Sequence, residues 1–215
     1  MKKKNNNSGY LVAIEGNDGT GKSTQIKLLK KYLKSRNKKV IVARYNMSYI
    51  TLPAIKEGKK RRFSPEINTY LHFLSIIDQF DQYINRYLNK GYTVIFDRYI
   101  YSVLARGLAR GVNSDIINFL YHRCVKPDLI VLLDIDPSIS IKRLKGNINY
   151  WEAGCDVLNE ENLEQSFLKF QQITRRHLKE LIKKEENYQI INSNHYKKDI
   201  FFKIIKTLNN DNNGC

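Results

Sequence analysis

A glycine-rich octet, Gly16-Asn17-Asp18-Gly19-Thr20-Gly21-Lys22-Ser23, separates an apolar run at 10–15 from a segment at 23–35 with helical spacing of apolar residues. It fits G-x-x-x-x-G-K-[ST] in a strand–loop–helix context, which leaves few folds open to the chain. The glycines let the backbone curl until successive N–H groups and the helix start face one point, a geometry that suits an anion. Lys22 adds a mobile positive charge suited to β- and γ-phosphates. Ser23 offers a hydroxyl oxygen to Mg²⁺, and Thr24 is a further candidate donor to an α-phosphate.

Four more apolar runs, at 40–45, 92–97, 129–136 and 188–192, are bounded by turn residues and read as buried strands. Between them, 65–89, 114–122 and 163–184 show helical spacing, and a short helix opens at Pro137 and runs through 143. Parallel strands need crossover connections, so the alternation predicts a three-layer α/β fold of P-loop kinase type. Its five-stranded parallel sheet carries helices on both faces. No Pro- or Gly-rich linker divides the 215 residues. The expectation is a single domain over 9–209, a disordered basic tail at 1–8 and a disordered polar tail at 210–215. Periodicity fails over 145–159, the candidate for a short lid.

Composition excludes some classes. No apolar stretch approaches the length of a membrane span, and the MKKKNNNSG start has no apolar run behind it, so no membrane or secretion role is expected. Cys124, Cys155 and Cys215 are too few and too irregular for a disulfide framework or a metal site, which favours a reducing cytoplasm. The formal charge of +16 attracts polyanions. Its lysines are scattered apart from 2–4 and 59–62, which reads as solvated helix faces and makes nucleic acid an unfavoured partner.

In such sheets ligands bind beyond the carboxyl ends of the strands. Charged residues close four of the expected strands: Glu15, Arg44, Asp97-Arg98 and Asp134 to Asp136. Asp97, after Val94-Ile95-Phe96, has the form of an acid holding the Mg²⁺ shell, with a helix cap as its alternative role. Arg98 can grip a phosphate bidentately. Asp134 and Asp136 fit a structural strand-to-helix transition. Glu152 and Asp156 share a helical spacing and read as a solvated acidic patch.

Three segments in order, IEGNDGTGKSTQ, FDRYIYS from Phe96 and LLDIDPSISIKRL from Leu132, resemble the thymidylate kinase family over roughly 10–192. The resemblance implies a nucleoside monophosphate kinase fold, ATP with Mg²⁺ as donor, dTMP as acceptor, and a homodimer through the long apolar helix 65–89. It makes Gly16 to Thr24 the triphosphate cradle, Asp18 the acid facing the acceptor sugar, and Arg98 the holder of the acceptor phosphate. Ser23 and Asp97 become the metal positions. Gly19 stands where some members carry a P-loop arginine, which turns attention to Arg143, just before the lid. The family's base-stacking and base-reading positions fall near Ser75 and Gln79, with Phe73 or Phe80 able to take the stacking role. Arg106 stands where the family commonly has Ala-Tyr-Gln, so Arg44, Phe73, Gln79 and Arg106 complete the expected acceptor contacts. Two alternatives stay open. One is a kinase for another nucleotide or a nucleoside, which would use Glu15 or Asp97 as base; the other is a nucleic-acid-associated P-loop ATPase.

Overall fold

Five strands alternate with helices along the chain: β1 Tyr10–Glu15, β2 Val40–Arg44, β3 Thr93–Asp97, β4 Leu129–Asp134 and β5 Tyr188–Asn192. In the computed structural model, which describes residues 8–211, they form one parallel sheet in the order β2-β3-β1-β4-β5. Ile14 of β1 pairs with Asp97 of β3, and Glu15 pairs with Leu132 of β4. The carboxyl ends of β1 and β3 therefore lie side by side under the loop that follows β1.

The helices are α1 Lys22–Ser35, α2 Thr51–Arg61, α3 Pro65–Gln79, α4 Asn85–Asn89, α5 Ile100–Leu108, α6 Ser114–Tyr121, α7 Pro137–Leu144, α8 Leu163–Ile182 and α9 Lys197–Asp211. Alternation along β1 divides them between two cores. Leu11 and Ala13 pack with Phe96 and Leu132 against α3, α5, α6 and α8. Val12 and Ile14 pack with Ile95, Val131 and Leu133 against α1 and α9. Both sheet faces are covered, which is why all but the outermost strands read as continuous apolar runs.

Several boundaries differ from the sequence expectations, each for a local reason. The segment 65–89 is interrupted by a π turn at Phe80–Ile84, which lets both Phe80 and Ile84 reach the core beneath α3 and α4. β4 stops at Asp134 because Asp136 caps α7, its Oδ1 accepting from the Ser138 amide with Pro137 at the first helical position. Helices α2 and α9 have no counterpart in the sequence reading, and α5 only the helix that Asp97 was a candidate to cap; Tyr99 stands at its N-cap instead. α9 buries Ile200, Ile204 and Leu208 on the α1 side of the sheet and continues through Asp211, into the stretch expected as a polar tail. Ser8, expected in the basic tail, donates its hydroxyl to the Asn89 carbonyl at 3.0 Å. The remainder of both expected tails lies outside the described residues.

Candidate active site

Backbone geometry explains the glycines of the loop after β1. Gly16 and Gly19 have φ of 145° and 76°. A Cβ on them would come within 2.5 Å of the Leu133 carbonyl and 2.8 Å of the Ser140 carbonyl, so neither position can carry a side chain without displacing backbone. An arginine at 19 is thereby excluded on steric grounds. Gly21, at φ 90°, precedes α1 and provides no side-chain cap. Elsewhere Ser64, Asn113, Asp136 and Asn162 each accept from a first-turn amide of α3, α6, α7 and α8. The first-turn N–H groups of α1 are left facing a cleft, as an anion site requires.

That cleft, about 600 Å³, is lined by Lys22, Ser23, Thr24, Asp97, Arg98 and Arg143 among others. Lys22 is buried, and its Nζ donates to the Asn17 carbonyl at 2.7 Å. Burial, reinforced by the positive charge of Arg98, pulls its pKa down to about 7 against the opposing pull of Asp18 and Asp97. A desolvated ammonium resting on a carbonyl is poised to gain from an incoming anion. Asp97 lines the same cleft as Ser23, which stands in the first turn of α1, and pairs with Arg44 at 3.4 Å. Arg143 donates to the Ser193 carbonyl at 2.9 Å, which holds it at the rim.

Arg98 follows β3 with φ 63°, a left-handed conformation uncommon outside glycine. Its amide bonds the Ile14 carbonyl at 3.0 Å, its Nη1 donates to the Gly16 carbonyl at 2.8 Å, and its Nη2 pairs with Asp18. The strain buys a fixed guanidinium bolted to the phosphate loop. Asp18 also accepts from Arg106 Nη2 at 2.6 Å and from Gln171 Nε2 at 3.2 Å. Burial favours its neutral form, but Arg98, Arg106 and Lys22 outweigh it and hold Asp18 well below the usual carboxylate range. Beneath this cluster Glu15 is fully buried. It accepts from the Tyr99 amide at 2.9 Å, the Ser102 amide at 3.3 Å and the Ser102 hydroxyl. Burial raises its pKa to about 7 despite those bonds and Arg98. Glu15 is thus a buried anchor for the turn carrying Arg98.

A second, narrower pocket of about 60 Å³ opens between α3 and α5, lined by Tyr45, Thr69, His72, Arg106, Arg110 and Trp151 among others. Arg106 joins the two cavities, since its guanidinium reaches Asp18 from the pocket wall. Phe73 and Gln79 lie elsewhere. Phe73 packs into the core, and the Gln79 amide is spent on the Arg44 carbonyl at 2.8 Å and the Ser75 carbonyl at 2.9 Å. His72, Arg110 and Trp151 were missed by sequence reasoning. The four-residue interval from Arg106, near the end of α5, to Arg110, in the turn that follows it, was the available signal for two arginines on one side of the chain.

The expected lid, 145–159, folds as a series of turns against α5 and α8. Arg110 Nε donates to Asp156 at 2.7 Å and its Nη2 to the Trp151 carbonyl at 2.9 Å, with the guanidinium 4.4 Å from the Phe170 ring centroid. Asp156 is therefore a half-buried ion-pair partner, while Glu152 lines the cleft beside Asn149. Asp134 accepts from Arg175 at 2.6 and 2.9 Å and from Lys179, a structural clamp from α8 to the end of β4.

The family model for thymidylate kinase matches residues 14–204. A relative named probable thymidylate kinase 2 from Saccharolobus solfataricus is 35% identical over 204 residues, covering 93% of this chain and 95% of its own. The chain belongs to the thymidylate kinase family. A thymidylate kinase of Caldicellulosiruptor saccharolyticus is 32% identical over 73% of this chain and 77% of its own. One from Carboxydothermus hydrogenoformans is 28% identical over 91% and 95%. Membership of the thymidylate kinase family makes the chain a phosphotransferase acting on nucleotides, and the parallel five-stranded sheet agrees with it.

Proposed function

We propose that the chain catalyses transfer of the terminal phosphoryl group of ATP to dTMP in the presence of Mg²⁺, giving dTDP and ADP. The observation that carries this reading is the fastening of Arg98 to the phosphate loop. Its bonds to the Gly16 carbonyl and to Asp18 hold the guanidinium beside the loop that carries Lys22 and the uncapped start of α1, where its remaining N–H groups would grip a phosphate. A donor's phosphates and an acceptor's phosphate can then share one cleft in line, and positioning with charge neutralisation supplies most of the catalysis.

The donor set fits the cofactors. Loop amides and the desolvated Lys22 suit a triphosphate. Among the described residues no cluster of three His, Cys, Asp or Glu could cage a metal. Ser23 and Asp97 with phosphate oxygens are instead the sparse protein contribution that Mg²⁺ accepts. When bound, Mg²⁺ would neutralise charge on the β- and γ-oxygens. Arg98 and Arg44 would hold the acceptor phosphate, Asp18 would face its sugar, and Arg143 is the rim cation available to the transferring group. A phosphate acceptor is already largely ionised near neutral pH, so no strong base is required. Glu15, with its oxygens committed to Tyr99 and Ser102, is not used as one.

The same reading takes the protein as a cytoplasmic homodimer with no nucleic-acid partner. Ile67, Tyr70 and Leu74 form an exposed apolar stripe on α3 suited to a two-fold contact. No helix among the described residues is long and apolar enough to cross a membrane. ADP release should be measured with dTMP, dUMP, the other monophosphates and thymidine as acceptors. Turnover with dTMP that disappears in Lys22→Ala supports the proposal. Turnover with thymidine alone, or with no nucleotide acceptor, overturns it.

A further inference from the structure

The pocket between α3 and α5 is lined by His72 and Arg106, whose buried Nδ1 and Nε the folded chain leaves without partners. A buried donor or acceptor with no partner is costly, and in a ligand cavity it marks where a ligand completes the bonding. Other polar groups of α3 are already engaged, Thr69 on the pocket wall and Ser75 and Gln79 beyond it. Ser75 Oγ accepts from the Ser48 amide, Gln79 Oε1 accepts from the Tyr83 hydroxyl at 2.6 Å, and Thr69 Oγ1 donates to the Pro65 carbonyl. Arg110 is bound to Asp156 and the Trp151 carbonyl.

We propose that His72 is the specificity-determining residue of the acceptor pocket, its bare ring nitrogen accepting the imide N–H of a thymine or uracil base. The inference rests on the nucleoside monophosphate kinase reading given above. The ring plane is set by Tyr45, 5.1 Å away and tilted by 36°. Burial, with Lys59, Arg106 and Arg110 nearby, holds the imidazole neutral, with a pKa near 3. A neutral imidazole has one N–H and one bare nitrogen, so it places a hydrogen-bond acceptor among cationic donors. Arg106 Nε and Lys59 can only donate, which suits the carbonyls of a thymine or uracil ring. The imide proton between two such carbonyls needs an acceptor, and His72 supplies it. Cytosine would set its amino donor against the cationic donors and its unprotonated ring nitrogen, an acceptor, against the His72 acceptor. Arg106 ties this recognition to the chemistry, because the same guanidinium holds Asp18 beside the phosphate cleft.

The test compares kcat and KM for dTMP, dUMP and dCMP in the wild type, His72→Phe and His72→Gln. Phe keeps a flat ring and loses the polar edge; Gln restores an acceptor oxygen. The preference for dTMP over dCMP should fall about tenfold or more in His72→Phe, as expected when a site loses one hydrogen-bond partner. The change should appear in KM for the nucleotide, with KM for ATP unmoved, and His72→Gln should recover part of it. An unchanged dTMP to dCMP ratio in a folded His72→Phe overturns this inference alone. A wild type inactive on all three monophosphates overturns the parent reading and this one with it. In the wild type, dTMP added without ATP should shift the His72 ring-nitrogen NMR resonance to a hydrogen-bonded value. No shift at saturating dTMP overturns the proposal even if the variants do not fold.

Discussion

Replacing Glu15 with Gln isolates the cost of burying a carboxyl under the active-site turn. A carboxyl held at about 7 instead of its ordinary 4.5 binds its proton more tightly in the folded chain than in the unfolded one. Folding stability from this group is therefore complete below about pH 4.5, declines as pH rises through the window, and is lost above about 7. At about 1.4 kcal/mol per pH unit of displacement, the loss amounts to about 3 kcal/mol. Gln is neutral throughout and has a carbonyl for the Tyr99 and Ser102 amides, while the Ser102 hydroxyl can turn to accept from its NH₂. Urea unfolding of both proteins from pH 5 to pH 8.5 reads the difference, in which shared titrations cancel. Glu15→Gln should gain about 2.5 kcal/mol on the wild type across that range, since part of the loss is already present at pH 5. Parallel stability curves would refute the claim that Glu15 is buried as a strained anchor.

Two further outcomes follow from the same geometry. Lys22 has a pKa of about 7 in the free protein, and triphosphate binding should raise it. Calorimetry at pH 8 in buffers of different ionisation enthalpy should then show uptake of more than about half a proton per ATP; zero uptake would contradict a desolvated lysine. A Cβ at Gly154, where φ is 69°, would sit 2.3 Å from the Phe170 ring. Gly154→Ala should cost about 2–4 kcal/mol and open 145–162 to limited proteolysis, whereas an unchanged melting temperature would argue against the docked lid.

The parts of the fold and site that could be read from sequence are those built from neighbours in the chain. The phosphate loop is legible because glycines, Lys22 and Ser23 are contiguous and their chemistry depends on local backbone. The sheet is legible because burial on both faces leaves apolar runs. Arg98 could be placed because it directly follows a strand end. The pocket between α3 and α5 could not, since it depends on how the two helices pack against each other. Gln79 and Phe73 looked available because their partners, the core under the sheet and the Arg44 carbonyl 35 residues earlier, are brought to α3 only by tertiary packing. Asp156 looked solvated because its partner, Arg110, lies 46 residues earlier. Glu15 could be recognised as a charged strand end, but its anchoring role depends on Ser102 and Tyr99, more than 80 residues away.

The central claim is that donor and acceptor phosphates share one cleft across Arg98. It is tested most directly by titrating the protein with adenosine and thymidine joined 5′ to 5′ through five phosphates. Binding should be at least about a thousandfold tighter than that of ATP or dTMP alone, because the second half binds intramolecularly. An affinity no better than that of ATP would contradict it.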